Sequence, residues 1–401
     1  MSNVAPPLPP GDLDPYRPEA LEDPYPLYAR LREQGPATYE PERDIWLVPG
    51  YAEAAAVLRD HRSFVSGDGA TYESALGRTE RYPLIETDPP EHTRIRRAVQ
   101  PPFARAEIEH LRPGIEAAAT EIVDGALARG EVDAVPDLAQ PMPDRAMALL
   151  TGLVPPSCQA LVDWSDAVVR AQEPGADPRH GELLGAALAW MIGEGIPGLP
   201  AHCLGRLITD EGGTTGGLHA EGPERLMTLA SIWLAGVDST GALLGNAIDA
   251  FTEFPDQWEL LRARPDLIGN AVEELLRFEA PFRVFYRRTR AQAQVGGVAI
   301  PAGATVCAVL GSTGRDPRQF ADPDRLDVTR ENARTHLALG TSIHLCLGAP
   351  VARLEATAML TELTRRVARF ERTGDAVRSP SGTMRKFDTL PVRLVPAGGR
   401  A

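Results

Sequence analysis

The sequence predicts a mainly α fold with small β-sheets (an α+β chain), and three observations lead there. Helical spacing of apolar residues recurs in nearly every segment from Pro90 to about Phe278. Short β-branched runs bounded by turns flank that body on both sides. No repeat and no Pro/Gly/Ser-rich linker divides the 401 residues, so they read as a single domain over 21–401 behind an irregular Pro-rich segment, 1–20.

In chain order, PPLPP lacks the amide donors of regular structure, and order is expected from Asp23. A helix, two strands (Ala37–Glu40 and Ile45–Val48) and a helix from Tyr51 follow, and Gly67–Glu86 breaks the periodicity. Helices are expected over Ala104–Arg129, Leu138–Leu153, Gln159–Gln172, Glu224–Phe254 and Pro265–Phe278. Strands are expected at Gln294–Val298, Thr305–Val309 and Pro391–Val395, interrupted by a helix from about Leu347 to Phe370.

Composition narrows the function. The net charge of −14 opposes nucleic acid or an anionic membrane as the main partner. The longest uncharged apolar run, Leu226–Val237, closes at Asp238 after 12 residues, too few to cross a bilayer. MSNVAPPLPPGDLDP has neither a basic start nor an apolar stretch, so a cytoplasmic monomer without a membrane anchor is expected. Lys386 is the only lysine among 41 basic residues. Cys158, Cys203, Cys307 and Cys346 form no CxxC pair and suit neither a zinc site nor a disulfide framework.

Four segments carry chemistry. In His336–Gly348, HLALGTSIHLCLG, Cys346 precedes a helix whose free N–H groups and dipole stabilise a thiolate. Gly340 and Gly348 allow close approach of backbone to a large flat ligand. A thiolate beneath a planar porphyrin accounts for all of these features, whereas an inert buried cysteine accounts for Cys346 alone. Glu274-Leu-Leu-Arg277 places two opposite charges on one helical face, a spacing that also occurs at Glu91/Arg94 and Glu362/Arg365. DPPEHTRIRR sets His92 and Arg96 one turn apart. LAGVDST, Leu234–Thr240, puts the small pair Ala235-Gly236, an acid and hydroxyls inside an apolar helix, where a hydroxyl can bond back to a carbonyl and open a groove.

HLALGTSIHLCLG resembles the haem-binding loop of the cytochrome P450 superfamily, Phe-Gly-x-Gly-x-His/Arg-x-Cys-x-Gly, and the other three segments resemble that family's motifs in the same order. Leu339 stands in place of the usual Phe, Ser342 of a frequent Gly, and Ser239 of the usual Thr. The resemblance implies a triangular helix-rich prism enclosing haem b, with Cys346 as axial ligand to the iron. It further implies that His92, Arg96, Arg287 and His344 hold the haem propionates, and that Gly340, Gly348, Ala235 and Gly236 lie against the haem. Glu274 and Arg277 would support the loop, while Asp238, Ser239 and Thr240 would serve oxygen activation.

Family topology places substrate near Tyr72, Arg78, Arg81, Tyr82, Leu234, Val237, Phe282, Val284 and Phe285, an aromatic-rich set that also includes Arg283 and favours an aromatic or polycyclic molecule. Arg78 or Arg81 would hold a carboxylate if the substrate is an aromatic acid. No nicotinamide or flavin signature is present, so electrons from NAD(P)H are expected through ferredoxin reductase and ferredoxin. Arg94, Arg97, Arg105 and Arg353 are the expected docking cations. Three readings follow: a monooxygenase that consumes dioxygen to hydroxylate or O-dealkylate a small molecule, such as a secondary metabolite; an oxidase that couples rings without net oxygen insertion; and a non-catalytic haem-thiolate sensor, against which the Asp238/Ser239 pair argues.

Overall fold

The computed structural model describes residues 13–75, 82–210, 218 and 223–398. Its central element is the helix Glu224–Glu253, 30 residues and so about 45 Å long. A helix apolar almost all round requires cover on most sides. By length and composition this helix would also suit a bilayer, yet here Pro141–Thr151, Cys158–Arg170, Leu204–Thr209, Ile268–Phe278 and Ala349–Arg366 pack against it. Gly236 permits one of these approaches, because a Cβ there would stand only 2.4 Å from Met147 Sδ.

A five-stranded sheet lies beside this helical body, in the order Thr38–Glu40, Ile45–Val48, Thr305–Ala308, Phe285–Thr289, Phe64–Val65. Ile45–Val48 runs parallel to Thr305–Ala308, and the other neighbours are antiparallel. In a second sheet Pro391–Pro396 lies between Glu131–Asp133 and Val367–Arg372. A short ladder joins Val377–Arg378 to Phe387–Thr389.

Several expected elements change at their ends. The helix expected over Ala104–Arg129 is two, Arg105–Glu109 and Arg112–Arg129, since Pro113 lacks an N–H and belongs in a first turn. The helix expected to reach Phe370 stops at Arg366, and Val367–Arg372 is a strand whose ladder with Pro391–Pro396 overrides the helical spacing. Gln294–Val298 is not one strand but part of a hairpin, Ala293–Val295 with Val298–Ile300, turning on Gly296 and Gly297 at φ +56° and +90°. Helix Pro18–Glu22 forms ahead of Asp23, and Leu13 is buried against Tyr28 and Ile45 in the core under the sheet.

Candidate active site

The central helix is buried along most of its length, yet Ala235 at its middle is exposed. Cys346 and Leu345 of the loop before Ala349–Arg366 are exposed as well. Exposed small residues midway along a core helix mark an internal cleft. Ser239, four residues after Ala235, shares that face, and its Oγ donates to the Ala235 carbonyl at 2.9 Å, the back-bond expected from the sequence. Gly236 does not share it: its open side receives Met147. Leu234 and Val237 are buried in the main core, and Thr240 is buried too, because side chains one, two or five positions from Ala235 point toward neighbouring helices.

Cys346 N–H donates to the Leu339 carbonyl at 2.9 Å, which fixes the turn of the loop. Cys346 is exposed to the internal cleft rather than to the outer surface, so the surrounding protein still desolvates its thiol and pushes it up, while the N–H groups of Gly348 and Ala349 and the charges of Arg96 and Arg353 oppose that rise. Gly340 adopts φ +69°, where a Cβ would also crowd the His344 carbonyl at 3.2 Å. Gly348 is at φ −79° and a Cβ would clear Cys346 Sγ by 4.0 Å, so its conformation does not require glycine. Ser342 is the reverse case: it holds φ +61°, a left-handed conformation that favours glycine.

Cationic and hydrogen-bonding side chains converge beside this loop. His92 and His344 rings are 4.5 Å apart, and Ser66 Oγ lies 3.1 Å from His344 Nε2. Neither ring nitrogen of buried His92 has a hydrogen-bond partner. Arg287 is buried and donates to the neutral Tyr286 carbonyl at 2.7 Å, and among the described residues no carboxylate pairs with it. Burial lowers the Arg287 pKa to about 10. Burial together with Arg287, His92 and Arg96 lowers that of His344 to about 2, so His344 is a neutral hydrogen-bonding group rather than a cation. Buried donors without anionic partners are costly. Together with a facing thiol they fit a planar ligand carrying carboxylates, as a haem does.

The loop is anchored from behind. Glu274 and Arg277 are wholly buried and bidentate at 2.7 Å. Arg277 also reaches the carbonyls of Gly314 and Pro323, and Arg330 Nε binds both oxygens of Glu274 at 3.1 Å. Sequence reasoning missed the next residue, Glu273. It accepts from Arg353 at 2.7 and 3.0 Å and lies 3.1 Å from His336 Nε2, and so holds both flanks of the Cys346 loop. Burial raises its pKa, but hydrogen bonds from His336 and Arg353 outweigh that and bring the carboxyl down to about 2. The doubled acid in AVEELLR was the only available signal.

Asp238, three residues after Ala235, is engaged by groups from two neighbouring elements. Its carboxylate meets Lys386 Nζ at 2.8 and 2.9 Å, and its N–H donates to Ser165 Oγ at 3.2 Å. Ser165 Oγ also donates to the Leu234 carbonyl at 2.8 Å, so one hydroxyl bridges an i, i−4 pair of helix backbone groups. No local pattern signals either partner, since Ser165 and Lys386 lie 73 and 148 positions away.

The expected substrate residues divide. Strand alternation puts Phe285 on the face of Arg287, and Phe285 stacks on Phe282 with centroids 5.1 Å apart. Met384 bridges to Phe282 and joins Val169 and Ala242 in a small apolar cluster that sequence reasoning missed. Val284 falls on the opposite face, in the core that also holds Tyr72 and Tyr286, which corrects the expectation for both Val284 and Tyr72. Arg283 is buried and structural, donating to Tyr28 Oη and the Ser381 carbonyl. Tyr82 is half-buried with its N–H on Glu86. Arg78 and Arg81 lie outside the described residues. Of the expected docking cations, Arg94 is committed to Glu91 and Glu224, and Arg353 to Glu273, whereas Arg97 and Arg105 are exposed.

Comparison with known proteins agrees with this geometry. A family model described as "Cytochrome P450" matches residues 255–383. The chain is 34% identical over 397 residues to "Cytochrome p450 CYP199A2" of Rhodopseudomonas palustris, covering 96% of this chain and 94% of that protein. It is 36% identical over 386 residues to "Cytochrome P450 monooxygenase PikC" of Streptomyces venezuelae, covering 92% and 91%. A solved structure of epothilone D-bound cytochrome P450epoK superposes with TM-score 0.83 at 29% identity, covering 96% of this chain and 99% of that one.

Proposed function

The chain belongs to the cytochrome P450 family, a haem-dependent monooxygenase that uses dioxygen and electrons delivered from NAD(P)H by redox partners, and from that premise we propose that it oxidises a flat, hydrophobic natural product. The observation that carries the substrate class is the stacked Phe282–Phe285 pair, which shares a strand face with Arg287 and adjoins the apolar cluster of Val169, Ala242 and Met384. Such a wall takes an aromatic or polycyclic scaffold by area and stacking rather than by charge. The epothilone D-bound neighbour supports a natural product in the wider sense.

Haem held by a thiolate supplies the activation of dioxygen. Cys346 would hold the haem iron through its thiolate, and Arg287, Arg96, His92 and His344 would hold the propionates. The Phe282–Phe285 wall positions the substrate and excludes water. Asp238 delivers protons at its carboxyl, and Ser239 Oγ faces the cleft as their acceptor and donor. Exposed Arg97 and Arg105 provide the surface for an acidic ferredoxin.

Ring coupling without oxygen insertion is the second reading. It is favoured by Ser239, whose hydroxyl proton is engaged by the Ala235 carbonyl. Product mass separates the two, by gain of oxygen or loss of an alkyl group against loss of two hydrogens. The first test is the spectrum of the reduced holoprotein under carbon monoxide. A long-wavelength Soret band that disappears in Cys346→Ser supports the assignment, and a short-wavelength band in the folded wild type rejects it.

A further inference from the structure

Lys386 is the only lysine in a chain with 40 arginines, 41 basic residues less one. It is not a surface residue, for its side chain is 11% exposed. Its Nζ lies 2.7 Å from Asp166 Oδ1 and 2.8 Å and 2.9 Å from the two oxygens of Asp238. Three elements meet there: the helix Cys158–Arg170, the central helix and the chain entering strand Phe387–Thr389. Arg170 is the other cation nearby, with Nε 3.9 Å from Asp166, but its Nη1 is engaged by Glu173 and the Pro380 carbonyl.

Exposure is graded along this row. The Asp166 side chain is 32% exposed and that of Asp238 10%. A cavity of about 20 Å³, lined by Asp238, Lys386, Gln140 and Phe387 among others, adjoins the pair. That is room for one water, and the lining offers it polar partners.

An arginine would join two carboxylates with more hydrogen bonds, and this chain uses arginine at every other basic position. Lysine differs in one respect that matters here: it gives up and regains a proton, whereas guanidinium does not. We infer that Asp166, Lys386 and Asp238 form the route by which solvent protons reach the cleft, with Lys386 as the exchange and positioning group between the two acids. This inference rests on the monooxygenase reading. A proton leaving Asp238 toward Ser239 is replaced from Lys386 Nζ, and the amine is reprotonated through Asp166 from solvent. No electrons move in these steps. Burial raises the Asp238 carboxyl above its ordinary value against the opposing pull of Lys386, with Asp166 adding to the rise and Arg170 opposing it. At Lys386 burial favours loss of the proton, but Asp238 and Asp166 outweigh it and hold the ammonium above its ordinary value, so the neutral amine is only a transient carrier.

The solitary lysine makes a direct test possible, because ¹⁵N-lysine labelling of the full chain gives one Nζ resonance. The expected spectrum shows a slowly exchanging ammonium that moves in both Asp238→Asn and Asp166→Asn. A resonance typical of a freely solvated amine, unmoved by Asp238→Asn, overturns the inference.

The second measurement is oxygen consumption by holoenzyme supplied with a plant-type ferredoxin, its reductase and NADPH. Lys386→Met is expected to slow it by about tenfold and to alter its pH profile and solvent deuterium isotope effect. Lys386→Arg, which keeps the charge and the fold, is expected not to restore them. Wild-type rate and pH profile in Lys386→Arg, or an unchanged isotope effect in Lys386→Met, would falsify the route while leaving the monooxygenase reading intact. Absence of the long-wavelength carbon monoxide band in wild type would instead overturn that reading, and the proton route with it, even where the lysine resonance reports the ion pair.

Discussion

A buried guanidinium whose one hydrogen bond among the described residues is to a neutral carbonyl, with Asp88 offsetting only part of its burial, is destabilising until an anion pairs with it, and Arg287 is in that position. Its replacement therefore has opposite signs in two forms of the protein. Arg287→Leu is expected to leave the haem-free protein as stable as wild type or more so in denaturant melts. Haem affinity should fall by about tenfold or more, the worth of roughly 1.5–3 kcal/mol for a hydrogen bond to a charged group. Equal loss of stability in both forms would show that Arg287 is a packing residue. At this scale the sequence was legible where spacing is fixed within one segment: the one-turn spacing of His92 and Arg96, the back-bond of Ser239 and the pairing of Glu274 with Arg277 could be read directly. Ser165, Glu273 and Lys386 could not, because their partners are distant in sequence. Lys386 meets Asp238 across 148 positions, and Glu273 meets His336 across 63 and Arg353 across 80.

The Cys346 loop and the helix Ile268–Phe278 behave as one unit through Glu273. Its carboxyl, ordinarily near 4.5, is brought down to about 2 by His336 and Arg353 against the effect of burial. A depressed carboxylate contributes stability that is complete above the unfolded value and is lost as pH falls through the folded one. Wild type should therefore lose on the order of 2–3 kcal/mol between about pH 5 and pH 2 from this group alone. Glu273→Gln should be less stable at neutral pH and flatter across that window, as measured by denaturant midpoints at stepped pH. Parallel pH curves for the two proteins would rule this linkage out. Elements were readable to within a few residues where periodicity governs, as for Glu224–Glu253. They were misread where tertiary pairing governs, as in Val367–Arg372, whose partner strand lies about twenty residues further on.

For the whole molecule, electrons must arrive from a redox partner, and ion pairing inside the protein limits which of the expected docking cations can serve. Arg94 and Arg353 hold internal acids, so charge reversal there would damage the fold rather than report on docking. Arg97→Glu with Arg105→Glu tests the surface cleanly. At low salt the pair should slow reduction by ferredoxin with no loss of haem, and added salt should narrow the difference. A rate unaffected at every ionic strength would place the docking face elsewhere. The overall architecture was legible because four motifs occur in order across the chain. The backing network was not, since no local pattern announces it.

The order of the three-stranded sheet bears on how the protein is made. Its middle strand, Pro391–Pro396, is synthesised after both of its neighbours, Glu131–Asp133 and Val367–Arg372. While a ribosome is still short of those residues, the two earlier strands have unpaired edges facing each other across a gap. Vectorial synthesis therefore leaves this sheet open until Pro391–Pro396 has emerged. Nascent chains stalled just upstream of Pro391 should be the species that chaperones hold.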